Sequence, residues 1–481
     1  MPATMTIEDR YGLPMSTSST TAAEHYVVGL DLLLSQNFGP EEAFGKATEA
    51  DDGFALAHAA LSVMLMLRAA VAEAKASVGR ASALSSGISG RERRHVEAIS
   101  LFVNGKGPQS LALIREHLDE FPRDALMMRL ASRLFLLGCS ASGVASFPQE
   151  LLALLKGVES DYGDDWAFLG QYSFAHHESG LLEDARRLAE RSLQLLPTNA
   201  NASHSVSHVF FETGDATGGT DFLADWLTTY DARAPFHVHL SWHLALFELA
   251  MCRYDRVLEL YETDIRPSVQ AKSPLSLADS ASLLWRVQMY GGATPPGPWE
   301  EVRDQAAPAA TAPGPAFRDA HAALAFASTG DEASFGRMID GLEDLASQGN
   351  ALAREVTLPL VRGIGAFAKG AYDEAVAQIE PAFAQLTRMG GSHAQREVFE
   401  DTLLEAYLRA EHFDRAEKLL RTRLNRRASV RDMYWLGRAQ ANTGQAEAAA
   451  ASFSEAAEGW QGADSGSDEM VAMSRVAASA V

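Results

Sequence analysis

WAFLGQYSFAHHESGLLEDARRLAERSLQLLP, residues 166 to 197, decides the fold. One helix ends at Ser179-Gly180; a second begins near Leu182 and stops at Pro197, because glycine and proline break helices. Ala185 and Ala189 stand four apart, so they share a helix face on which a neighbouring helix can come close. In a unit of about 34 residues, small residues hold positions 8 and 20 and proline holds 32. Ser173, Ala185 and Pro197 fill those places.

The grammar recurs along the chain, and it is that of a tetratricopeptide repeat. AISLFVNGKGPQSLALIREHLDEFP places Ala98, Ser110 and Pro122 at 8, 20 and 32. HLALFELAMCRYDRVLELYETDIRP places Ala245 and Val257 at 8 and 20. Later pairs use Gly363 with Ala375, Leu404 with Ala416, and Gly437 with Ala449. Ala416 and Ala449 stand 33 residues apart, close to one repeat. An early pair around Ala43 and Ala47 caps the array. A helix pair cannot bury its apolar face alone, so pairs must stack. The expected fold is all-α: an α-solenoid or superhelix of tetratricopeptide-like helix pairs, with a concave side lined by the first helix of each pair.

The expected organisation is an N-terminal segment over 1–21, a block of repeats over 22–290, a Pro/Gly-rich connection over 291–316 and a second block over 317–481. The stretch GGATPPGPWEEVRDQAAPAATAPGPA reads as irregular, because its prolines forbid a continuous helix.

Composition narrows the function. A net charge of −22 repels phosphate backbones, so nucleic acid is not an expected partner. The one basic cluster, Arg415, Lys418, Arg421, Arg423, Arg426, Arg427 and Arg431, reads as a solvated helix face. Two cysteines, Cys139 and Cys252, build neither a disulfide framework nor a zinc knuckle, and with no signal pattern and no long apolar run they suggest a cytoplasmic protein. No cofactor and no membrane is implied, and self-association stays open.

Two stretches stand apart from the repeat grammar: HSVSHVFFE at 204–212 and HLSWH at 239–243. With Gly219 at position 20, Ser207 is position 8, and His204, His208 and Glu212 fall at 5, 9 and 13, positions that face the groove. His239, Trp242 and His243 follow at 2, 5 and 6 of the next repeat, and His177 and Glu178 at 12 and 13 of the preceding one. Imidazoles titrate near neutrality, and a nearby carboxylate sets their tautomer, so His208, His239, His243 and Glu212 form a candidate acid–base set. His204, Trp242, His177 and Glu178 are candidate ligand contacts. Histidines at i and i+4 lie about 6 Å apart along the axis and suit one metal ion, so His204, His208, His239 and His243 are a weaker metal alternative. Glu212 lies about 12 Å along the axis from His204 and cannot share that ion. Neither an HExxH motif nor a G-x-S-x-G elbow is present.

Five stretches together resemble the tetratricopeptide repeat protein 38 family: YGLPMSTSS at 11–19, SGRERRHVEAI at 89–99, HSVSH at 204–208, HLSWH at 239–243 and GGSHAQREVFEDTLL at 390–404. The resemblance spans about residues 11 to 410 with the motifs in order. It implies an all-α repeat fold and a common purpose for the polar motifs, and so adds Gln395 and Arg396 as candidate ligand contacts, then Arg91, Glu92 and His95. Glu212 departs from the family pattern, which has glutamate at the place of Phe211; one residue turns a side chain about 100° round a helix. Two functions follow: a protein binding a small polar ligand or a peptide in a histidine-rich groove, or an enzyme of unassigned reaction that uses the histidines as acid and base.

Overall fold

A computed structural model describes residues 7–294 and 296–479. Among these residues there is no strand, only an isolated bridge between Glu8 and Pro14. Most of the rest is helix, and successive helices pack in pairs as expected. Helices Trp166–Glu178 and Leu182–Leu195 form the first pair read above, with Gly180 at φ +77° in the turn. Ser173, Ala185 and Ala189 are fully buried between neighbours.

The small residues do what their positions require. In the pair Gly90–Val103 and Gly107–Glu120, the Ser110 hydroxyl donates to the Ala98 carbonyl at 2.7 Å, position 20 directly against position 8. A methyl group on Gly363 would sit 2.3 Å from Ile379, and one on Gly219 2.6 Å from the Phe247 ring. Both distances are well inside van der Waals contact, so larger residues would force the helices apart.

The connection expected over 291–316 is corrected. It carries a helix, Pro296–Thr311. Pro296 and Pro298 fall in its first turn, where backbone N–H groups have no helical partner, and Pro308 falls in its last. Proline therefore costs little at the first two places. Two π-turns, Tyr261–Ile265 and Ala353–Thr357, each run into a helix whose second residue is proline, Pro267 and Pro359. The missing proline N–H is absorbed by the wider turn.

Packing divides the chain into two compact units. The first takes the chain up to Val206 together with Thr229–Phe236; the second takes Ser207–Thr228 and the chain from His237 onward. The division falls inside the helix Ala200–Thr213, between its two histidines.

The first unit centres on a core that includes Tyr11, Tyr26, Phe44, Phe54, Phe135 and Phe147. Its N-terminal segment is tied down by specific contacts. Glu92 forms a capping box with Ser89 and also accepts from the Ser16 amide at 2.7 Å. Arg91 donates to the Pro14 carbonyl at 2.7 Å.

Candidate functional site

The first unit holds a closed polar cluster. Asp124 caps helix Ala125–Leu136, and its Oδ2 takes three partners: Arg91 at 3.0 Å, His95 Nδ1 at 2.9 Å and His117 Nε2 at 3.0 Å. All four side chains are buried. Burial alone would raise the Asp124 carboxyl, but the charge and hydrogen bonds of His95 and His117 hold it well below the usual carboxylate range. With a guanidinium already on the shared oxygen, a metal ion there would meet a like charge. Arg91, Glu92 and His95 thus bind the N-terminal segment to its helices. His177 and Glu178 belong to the same unit; the His177 ring sits edge-on to Phe174 at 4.6 Å, and its Nδ1 lies 3.6 Å from Glu178. His204 stacks on Phe174 and meets Phe236 edge-on at 5.1 Å.

The second unit gathers His208, His239 and His243. The first comes from helix Ala200–Thr213, the others from His237–Ala250. The His208 and His243 rings stand 4.5 Å apart edge-to-face, and those of His239 and His243 4.9 Å. The three offer ligand nitrogens within 4.8 Å of one another. His208 and His243 are fully buried and His239 is 9 % exposed. Trp242 forms one wall, parallel to His239 at 5.3 Å and edge-on to His243 at 4.8 Å, with its indole N–H on Ser282.

An acid not singled out in the sequence completes the group. Asp279, on helix Ser276–Tyr290, accepts from His239 Nδ1 at 2.9 Å and is 1 % exposed. That bond fixes the proton on Nδ1 and orients the ring. The only signal in the sequence is a lone carboxylate among the small and apolar residues of LADSASLLW. Gln395 donates to the other Asp279 oxygen at 3.4 Å, which joins the GGSHAQR stretch to HLSWH. Gln395 also closes a capping box with Ser392. Arg396 faces the turn instead, donating to the Gly390 and Gly391 carbonyls.

Glu212 has a partner of its own. It pairs with His393, Oε1 to Nδ1, at 2.6 Å. Glu400 and Glu397 lie 3.6 and 3.8 Å from the other ring nitrogen. Burial opposes a charged imidazole, yet Glu212, Glu400 and Glu397 together raise His393 to about 9. Arg423 continues the network to Asp401 and Asp432, both at 2.8 Å, and Arg427 pairs with Glu397 over the Phe211 ring. Beside it lies a cavity of about 60 Å³ lined by Arg286, Tyr290, Asp401, Arg423 and Arg431 among others. The basic cluster is thus corrected in part: Arg415, Lys418, Arg421 and Arg426 are exposed, but Arg423 and Arg431 are buried ion-pair partners.

These features define an all-α repeat protein of tetratricopeptide type. No family model matches the chain. Among solved structures, the human IFIT1 dimer with m7Gppp-AAAA is 14% identical with a TM-score of 0.39, covering 92% of this chain and 91% of that one. The human IFIT1 dimer with PPP-AAAA is 13% identical with a TM-score of 0.38, covering 91% and 90%. The P58(IPK) TPR domain is 12% identical with a TM-score of 0.21, covering 82% and 99%. The exclusion of nucleic acid drawn from charge is corrected: the IFIT1 structures are with m7Gppp-AAAA and PPP-AAAA. Net charge averages over a whole chain and does not by itself exclude such a partner.

Proposed function

We propose that this repeat protein binds a small polar ligand at the cluster of His208, His239, His243, Trp242, Asp279 and Gln395. The observation that carries the reading is the convergence of three buried imidazoles, one oriented by a buried carboxylate, on a single point of the second unit. Buried polar groups cost stability unless they are satisfied, so a concentration of them suggests a purpose beyond packing. The burial favours a small molecule over a peptide, whose backbone needs an open groove. The resemblance to the tetratricopeptide repeat protein 38 family is part of the same reading, since two of its motifs meet at Asp279.

The Asp279–His239 pair favours a second reading, in which the cluster moves protons on the bound molecule. A carboxylate-oriented imidazole is a good general base when its other nitrogen faces a substrate. Glu212, committed to His393, is not needed for it.

A thermal-shift screen of polar metabolites on chelator-treated protein tests the binding reading. A ligand at about 100 times its Kd stabilises by about 2.7 kcal/mol. That stabilisation should vanish in His208→Ala and His243→Ala. A ligand that stabilises folded double-alanine protein as well as wild type would refute the assignment.

A further inference from the structure

We infer that His208, His239 and His243 hold a divalent transition-metal ion, with Asp279 as the positioning residue for His239. The inference rests on reading this cluster as a binding site, and it names what the cluster binds first.

The donor set sets the class of ion. Three neutral imidazoles with no carboxylate or thiolate among them suit zinc, cobalt, nickel or copper, whereas magnesium and calcium require oxygen. Zinc bonds to imidazole of about 2.0–2.1 Å place tetrahedral ligand nitrogens about 3.3 Å apart. The three residues already offer nitrogens within 4.8 Å of one another, so closure needs ring movements of about an ångström. His239 and His243 stand four apart on one helix, and His208 comes from another, so the ligands enter from two directions.

The surroundings agree. A metal-ligating imidazole commonly gives its second N–H to a carboxylate, which orients the ring and raises its basicity. Asp279 supplies that carboxylate to His239 at 2.9 Å and is itself braced by Gln395. Its negative charge also offsets part of the charge of a buried ion. Trp242 packs against two of the rings and keeps water from that side. Two further histidine clusters lack this balance: Asp124 already holds Arg91, and Glu397 already holds Arg423 and Arg427.

The test is a titration of chelator-stripped full-length protein with Zn²⁺ against a chromophoric competitor, and with Co²⁺ followed by its visible absorption. We expect one equivalent bound, with the intense bands of a four- or five-coordinate cobalt site. His208→Ala and His243→Ala should weaken binding at least about 100-fold, and Asp279→Asn by about 10–100-fold. X-ray absorption on the zinc-loaded wild type supplies a readout that needs no variant, and should show three imidazoles. Absence of stoichiometric binding, fewer than two imidazoles around zinc, or full affinity in the folded double-alanine protein would overturn the inference. If the stripped protein binds no metal but still gains stability from a metabolite, the metal is refuted and the ligand-binding reading stands.

Discussion

Asp279 accepts from Nδ1 of His239, and this one bond fixes the tautomer and the orientation of the ring. His393 shows the same logic with the opposite result. Its side chain, 20 % exposed, is ringed by Glu212, Glu397 and Glu400 and stays protonated at neutral pH, with a value of about 9 against an ordinary 6.5. Because the folded state binds this proton more tightly than the unfolded chain, the stabilisation is complete below about pH 6.5 and is lost as pH rises through about 9. Glu400, held down at about 2, works in reverse: its contribution is present above 4.5 and is lost as pH falls below that value. In urea titrations His393→Gln should therefore be less stable than wild type at pH 6, with the gap narrowing steadily to pH 9.5. A gap independent of pH would show that His393 is not the titrating group. The histidines of the candidate site were legible from i, i+4 spacing alone. The distant partners were not: Asp279 lies 40 residues beyond His239, and, outside the site, His393 lies 181 beyond Glu212. Periodicity reports which face a residue occupies; it does not say which distant helix will meet that face.

At the scale of elements, helix pairing was readable because close approach demands small residues, and small residues at fixed spacing are visible in a sequence. Gly219 fixed the register that placed His208, and it packs under the Phe247 ring. Phe247 is 2 % exposed and has no room to swing away. Gly219→Ala should destabilise by about 1–3 kcal/mol through overpacking, despite the gain in helix propensity. Chemical denaturation measures this; a stabilised variant would mean that the helices are not held this close. The stretch 291–316 misled because proline count was weighed without proline position. Two of its prolines stand where a helix begins, and there they are compatible with it. The arginine cluster misled for a related reason: Arg423 and Arg431 are taken out of solvent by acids from other helices, among them Asp401 and Glu469.

At the scale of the molecule, the chain has 14 histidines and a net charge of −22, and neither number indicates a site. What does is the meeting of three imidazoles with one carboxylate inside the second unit. Histidine-selective ¹⁵N NMR reads these rings directly while Zn²⁺, or a ligand found by screening, is added to the full-length protein. The imidazole resonances of His208, His239 and His243 should shift together and saturate at one equivalent, while those of His95, His117 and His393 stay in place. Saturable binding that leaves those three resonances unmoved would contradict it.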